Sequence, residues 1–248
     1  PDSIFHLAAQ VDVRKAVDDP GFDAEVNVVG TINVLEAAAA GGVGQFVFTS
    51  TGGAIYGEGR ERQLPFDESA SAMPESAYGT SKLACEHYLG LYRRTRGLNG
   101  VALRLGNVYG PRQDPDGEAG VVAIFSGALH DGRALTVFGD GEQTRDYVYV
   151  GDVVDALIAT RDALASAGDR IEGPYNVGTG VETTVLELAG YLGEAAGRAE
   201  VEHQPARMGE VQRAAIDPAA ARRDLGWVAR TELRSGLART YEWLAAER

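Results

Sequence analysis

Apolar positions fall into two patterns along the first half of the chain. Short, nearly continuous apolar runs at 4–7, 45–49 and 101–105 read as buried strands. Between them lie long segments at 22–40 and 78–95 that mix apolar and polar positions at helical spacing. The first ends in Gly41-Gly42 and the second in Gly97, both helix stops. Strands separated by helices of this length predict βαβ units and a parallel sheet. After Gly110-Pro111 the elements shorten. Helices are predicted at 121–129, 152–165 (opened by an acidic cap at Asp152), 183–196, 218–225 and 232–246. Strands are predicted at 135–138 and 147–150 around a Gly-Asp-Gly turn, and at 175–178. Trp227 and Trp243 read as anchors of the C-terminal part. No internal repeat or low-complexity segment interrupts this order.

Composition narrows the class. The 248 residues carry 23 Lys plus Arg against 36 Asp plus Glu, a formal net charge of −13. That balance argues against nucleic acid as a partner, because a phosphate backbone calls for a basic face. No apolar run approaches the roughly 20 residues needed to cross a bilayer, so no membrane partner is expected. Cys85 is the single cysteine, which excludes an intramolecular disulfide and suits a reducing compartment, the cytoplasm. The four histidines show no metal-ligand spacing, and no metal is expected. Lys15 and Lys82 are the only lysines among the 23 basic residues. A chain that uses arginine elsewhere draws attention to what a compact, tunable ammonium does at those two places.

Lys82 closes the sequence Tyr78-Gly79-Thr80-Ser81-Lys82. On a helix these two residues share a face. A lysine charge near a phenol favours phenolate and would lower the tyrosine pKa towards the range of a general acid/base. Tyrosine and lysine at this spacing also occur as an ordinary solvated pair. A second feature is the run Phe46-Val47-Phe48-Thr49-Ser50-Thr51-Gly52-Gly53, where a strand passes into hydroxyls and then glycines. Hydroxyls at the C-terminal end of a strand sit where open α/β sheets bind ligands, although such residues also make plain turns.

Together with Leu103-Arg104-Leu105-Gly106-Asn107-Val108-Tyr109-Gly110-Pro111, these features form an ordered set that resembles the extended short-chain dehydrogenase/reductase family, and within it the nucleotide-sugar epimerases. Further marks are His6-Leu7-Ala8-Ala9, Asn27-Val28-Val29-Gly30-Thr31, the run from Gly139 to Tyr147, Arg207-Met208-Gly209-Glu210 and Asp224-Leu225-Gly226-Trp227. The resemblance implies an α/β fold: a Rossmann-like doubly wound parallel sheet whose N-terminal strands are missing from this chain, with a smaller C-terminal α/β substrate domain. It implies NAD as cofactor, a UDP-sugar as substrate, and epimerisation at carbon 4 through a transient 4-keto sugar. Tyr78 would be the catalytic base, Lys82 its partner and a ligand of the nicotinamide ribose, and Thr51 the catalytic hydroxyl, with Ser50 as a one-residue alternative. Ala8, Ala9, Asn27 and Ser50 would lie along the cofactor. Thr51, Asn107, Arg145, Arg207 and Glu210 would hold the nucleotide sugar. Residues 1–115 and 172–182 would form the NAD-binding part, and 116–171 and 183–248 the nucleotide-sugar part. Helices 22–40 and 78–95 would pair with their copies in a homodimer.

One departure from the family pattern is plain. No Gly-x-Gly-x-x-Gly or Gly-x-x-Gly-x-x-Gly occurs in the 248 residues. The chain starts at what corresponds to the family's fourth strand, so roughly 60–70 residues of βα units are expected upstream in a longer protein. Family members that dehydrate or decarboxylate sugars carry acidic residues just after the hydroxyl run, where this chain has Gly52-Gly53. Their absence favours simple oxidation and re-reduction. The alternatives are a dehydratase or reductase of the same family, or a non-catalytic nucleotide-binding relative. Ala214, four positions beyond Glu210, matches the family position that bounds the sugar pocket, and its small side chain implies acceptance of N-acetylated sugars as well.

Overall fold

The computed structural model describes residues 1–114, 120–167, 170–207 and 209–247. The elements follow in chain order. Strand β1 (Ser3–His6) leads into helices α1 (Val13–Asp18) and α2 (Pro20–Ala24), a π-helical turn (Glu25–Val29) and α3 (Gly30–Ala40). Strand β2 (Gln45–Thr51), the short α4 (Gly52–Ile55), α5 (Ala77–Arg96), β3 (Gly100–Leu105) and β4 (Asn107–Tyr109) come next. The remainder comprises α6 (Val121–His130), β5 (Leu135–Phe138), β6 (Thr144–Arg145), β7 (Tyr147–Tyr149), α7 (Val150–Ala167), β8 (Tyr175–Val177), β9 (Thr183–Thr184), α8 (Val185–Ala196), β10 (Val201–Gln204), α9 (Ala219–Leu225) and α10 (Leu233–Glu247).

Strands β1, β2, β3 and β8 make a parallel sheet in that order. Alternation along β2 divides its two faces, since successive side chains of a strand point to opposite sides. Phe46 and Phe48 pack with Leu35 and Ala38 of α3 and Cys85 and Leu89 of α5. Val47, with Val101 and Leu103 of β3, packs against Val153, Ala156, Leu157 and Leu164 of α7. Both faces are thereby covered, as a parallel sheet requires. A separate core lies under β5 and β10, where Val122, Phe125, Leu135, Val137, Leu188, Leu192 and Leu237 come together.

The helices start and stop where capping chemistry dictates. Ser76 accepts from the amide of Gly79 at the head of α5, and Gly97, at φ 66°, ends it in the left-handed conformation. Thr184 and Glu187 form a reciprocal capping box on α8. This box displaces the helix expected from 183, because Thr183 and Thr184 pair with β6 instead.

Several expectations change on contact with the tertiary structure. The predicted helix 22–40 is interrupted by the π-helical turn. Asp152 does not cap α7; it lies in the first turn, where its carboxylate accepts from the amide of Thr231. Strands 135–138 and 147–149 do not pair across the Gly-Asp-Gly turn: the first pairs with β10 and the second with β4. Helix α7, placed by the sequence with the nucleotide-sugar part, packs on the sheet of the other part, so the division expected for 116–171 does not follow the packing. Its outer limit at 115 and 116 lies outside the described residues. Trp227 joins the sheet core and donates its indole N–H to the carbonyl of Asp152, whereas Trp243 is only half-buried.

Candidate active site

The C-terminal ends of β1, β2 and β3 gather the residues singled out above, the position at which parallel α/β sheets bind ligands. Behind them α5 presents Tyr78 and Lys82. The Lys82 ammonium is almost fully buried and donates to the carbonyl of Thr49 at 2.9 Å. It also lies 4.8 Å from the Phe48 ring centre and 5.9 Å from that of Tyr78. Burial pushes the Lys82 pKa down to about 8. Tyr78 goes the other way: burial, with the charge of Asp23 and that of Cys85 once ionised adding to it, pushes its phenol up to about 12. The lowering expected from the lysine is therefore not found in the free chain, because desolvation of the phenolate outweighs a cation engaged with a carbonyl.

The hydroxyl run resolves into three different roles. Thr49 donates to the carbonyl of His6, tying β2 to β1. Ser50 is buried and gives its hydroxyl to Glu86 at 2.6 Å. Thr51 stands at the head of α4 without a side-chain capping bond, and its hydroxyl has no partner among the described residues. Thr51 is thus the hydroxyl available to a ligand. The side chain of Ser50, expected along the cofactor, is instead committed to α5.

Close approaches hold this arrangement. A Cβ on Gly79 would lie 2.6 Å from the carbonyl oxygen of Ala54, so only glycine lets the first turn of α5 rest on α4. A Cβ on Gly52 would meet Ile216 Cδ1 at 2.7 Å, and one on Gly53 would meet Asn107 Oδ1 at 3.1 Å. A side chain at Gly52 would have to displace Ile216.

At the end of β1, Ala8 is exposed and Ala9 partly buried. Asn27, carried by the π-helical turn, is buried. Its amide accepts from the backbone N–H of Gln10 at 2.9 Å and donates to the Gln10 carbonyl at 3.0 Å and to Asp23 at 3.0 Å. Asn27 therefore fixes the loop after β1 and presents no free amide. The π-helical turn, a device common at functional sites, is what aims it there; sequence periodicity carries no sign of it. Lys82 has three N–H donors, and one acceptor is found for them among the described residues, Thr49 O. Small side chains beside β1, an ammonium with spare donors and an open strand end fit the nicotinamide-ribose end of NAD. The glycine-rich turn that would take the pyrophosphate is not among residues 1–248.

On the opposite side, β4 and β7 bring Asn107 and Tyr147 into register, and Asn107 N–H donates to the carbonyl of Asp146 at 2.7 Å. Asp146 is a buried hub that sequence reasoning missed: it accepts from Thr179, Gly180 and Ile216. Burial raises its pKa and these hydrogen bonds oppose the rise. Its neighbour Arg145 faces Glu210 at 3.7 Å, and the Arg207 guanidinium stacks 3.7 Å above the Phe138 ring. A cleft of about 560 Å³ is lined by Glu58, Arg62, Met73, Arg207, Glu210 and Gln212. Met208, between Arg207 and Glu210 in the expected motif, lies outside the described residues. The structure thus groups Arg145, Arg207 and Glu210 on one side and Thr51, Tyr78 and Lys82 on the other. No group of three or more His, Cys, Asp or Glu side chains among the described residues could hold a metal. No described helix is long and apolar enough to cross a membrane.

Such a fold and site define a nucleotide-dependent enzyme of the extended short-chain dehydrogenase type. Residues 1–178 match the family described as NAD dependent epimerase/dehydratase, and the chain belongs to that family. It is 48% identical over 244 residues, 98% of this chain and 76% of the relative, to a UDP-glucose 4-epimerase of Mycolicibacterium smegmatis. Among solved structures it resembles UDP-glucose 4-epimerase of Thermotoga maritima with UDP-glucose (43% identity, TM-score 0.93, covering 100% of this chain and 78% of that one). It also resembles the Thermus thermophilus enzyme in complex with NAD (44% identity, TM-score 0.87, 98% and 77%).

Proposed function

We propose that the chain is the larger part of an NAD-dependent UDP-hexose 4-epimerase. The observation that carries this reading is the placement of one uncommitted hydroxyl, Thr51, at the strand end beside the helix that presents Tyr78 and Lys82, with Arg145, Arg207 and Glu210 grouped on the far side. NAD, when bound, would supply the hydride acceptor and donor for oxidation and re-reduction at carbon 4 of the sugar. Thr51 hydrogen-bonds the 4-hydroxyl, and Tyr78 takes and returns its proton. Lys82 uses its spare donors on the nicotinamide ribose. Ala8 and Ala9 border the cofactor with backbone and small side chains, on a loop that Asn27 holds in place. Arg145 and Arg207 take the diphosphate, for which a guanidinium fork is suited, with Glu210 orienting Arg145 and Asn107 closing the sugar side. Ionisation of Tyr78 belongs to the loaded complex, since the free chain holds the phenol protonated. Glycine at position 52, where a carboxylate side chain would displace Ile216, supports re-reduction over dehydration.

The cofactor part comprises 1–115 and 172–182 together with α7; the remaining residues form the nucleotide-sugar part. The protein acts in the cytoplasm, where the buried free thiol of Cys85 stays reduced, and as a homodimer through α2, α3 and α5. The test is conversion of UDP-galactose to UDP-glucose by the longer protein that contains this chain. Tyr78→Phe is expected to lower turnover by at least about a hundredfold with the fold intact. Near-normal turnover in that variant removes Tyr78 from the chemistry, and product lacking the 6-hydroxyl would point to a dehydratase instead.

A further inference from the structure

Glu86 lies one turn beyond Lys82 on α5, so Tyr78, Lys82 and Glu86 follow one another along one face. Its side chain is 9% exposed, and that of Arg104 is 8% exposed. Glu86 Oε1 accepts from Ser50 Oγ at 2.6 Å and from Arg104 Nε at 3.0 Å; Oε2 accepts from Arg104 Nη2 at 2.7 Å. Ser50 and Arg104 are register partners on β2 and β3, so one carboxylate clamps two adjacent strands. The chain of bonds continues. Arg104 Nη1 donates to Tyr56 Oη at 2.8 Å, and Tyr56 donates to Asn176 Oδ1 at 2.9 Å. Asn176 Nδ2 donates to the carbonyls of Phe66 and Asp217 at 2.9 and 3.2 Å. Tyr56 and Asn176 are buried. Phe66 in turn bonds Ala215 and Asp217, in the segment that leads back to Glu210.

Hydrophobic residues of similar volume often fill such a space at no loss of stability, so burial alone does not account for a buried ion pair here. What the network does is visible from its ends. Thr49 takes Lys82, Ser50 takes Glu86, and Thr51 carries the free hydroxyl. The middle residue of the three is held by the same helix face that presents Tyr78. We propose that Glu86 is a positioning residue that fixes the end of β2 against the face of α5 bearing Tyr78 and Lys82, and that Arg104, Tyr56 and Asn176 extend this hold to the segment 213–217 on the sugar side.

This inference rests on the proposed epimerase reading, and its test separates the two. The longer protein, loaded with NAD, is assayed with UDP-galactose as Ser50→Ala, Glu86→Gln and Tyr56→Phe. Ser50→Ala and Glu86→Gln are expected to lower kcat by about tenfold to a hundredfold, the scale of a misplaced catalytic group, with KM within about twofold. Tyr56→Phe, which cuts the network between its ends, is expected to raise KM at least about fivefold with kcat retained. A second readout needs no turnover. With ¹³Cε-lysine labelling, and Lys82→Arg to assign the signal, the titration of Lys82 should rise from about 8 towards the ordinary lysine value in Ser50→Ala and Glu86→Gln, as the strand end loosens and water enters. The groups that face Lys82, namely His6, Asp23, Tyr78 and Cys85, are unchanged in these variants. If wild type does not interconvert the sugars, the functional reading fails while the lysine titration still decides the positioning role. Should Glu86→Gln fail to fold, Ser50→Ala, a neutral change, carries the test. An unchanged kcat and lysine titration in Ser50→Ala, or losses that only follow the folded fraction by circular dichroism, overturn the proposal.

Discussion

Lys82 donates to the carbonyl of Thr49 at 2.9 Å across 33 residues of sequence. That single bond joins the helix that presents Tyr78 to the strand that ends in Thr51. It also holds the ammonium buried, and two consequences can be measured.

The first is a pH-dependent stability. The folded-state pKa of Lys82 lies at about 8, below its ordinary 10.5. Between those values the unfolded chain binds more protons than the folded one, so this residue makes stability rise with pH across that window; below about pH 8 the full penalty is present. The shift corresponds to about 3 kcal/mol, against about 1 kcal/mol from the bond to Thr49. Lys82→Met is therefore expected to stabilise the protein by about 2 kcal/mol at pH 7, with the gain shrinking by pH 10. Thermal melts of both proteins at the two pH values check this, and a lower melting temperature for the variant at pH 7 refutes it.

The second concerns chemistry. A guanidinium does not reproduce a compact ammonium donating to a carbonyl in a closed site. Lys82→Arg should lose most of its turnover although the charge is kept. Retention of more than about half of wild-type kcat would show that only the charge matters.

Gly79 offers a test of geometry without a change in any reacting group. With a Cβ there only 2.6 Å from the Ala54 carbonyl oxygen, Gly79→Ala must push α5 off α4. Overpacking of this kind costs about 1–3 kcal/mol. A small outward shift of Tyr78 is expected to lower kcat more than about tenfold, while UDP binding, measured by calorimetry, stays near wild type. Unchanged kcat would mean that α4 yields instead.

Assembly can be read from surface apolar residues. Phe22, Val26 and Val29 on the α2–α3 stretch are 36, 38 and 49% exposed, and Tyr88 and Leu91 on α5 are 37 and 42% exposed. An isologous pairing of the two helices would cover these exposed apolar side chains. Light scattering of the longer protein is expected to give a dimer, and Leu91→Glu a monomer. A wild-type monomer at micromolar concentration counts against the pairing.

Substrate breadth turns on Ala214, which is buried beside the Arg213 and Ala215 carbonyls that bond Gly59 and Phe66. If it bounds the sugar pocket as the family position does, wild type turns over UDP-N-acetylgalactosamine as well as UDP-galactose, and Ala214→Tyr loses the first selectively. Equal kcat/KM ratios for the two sugars in both proteins would show that another residue closes the pocket.

Much of this was legible along the chain. Strands β1, β2 and β3 and helices α3 and α5 follow from local apolar periodicity and from glycine stops. Helical spacing and the scarcity of lysine single out Tyr78 and Lys82 as candidates, which the accompanying motifs strengthen. What periodicity does not encode is which distant segments meet. The pairing of β5 with β10, the seating of α7 on the sheet and the meeting of Asp146 with Thr179 and Ile216 depend on packing between segments far apart in sequence. The choice between Ser50 and Thr51 is of the same kind. The two hydroxyls are neighbours in sequence and alike in chemistry, and only the position of Glu86, 36 residues away, makes one a structural donor and leaves the other free. The tyrosine pKa belongs there too: a lysine four residues on predicts a lowered value, but depth of burial, which no sequence spacing reveals, decides it.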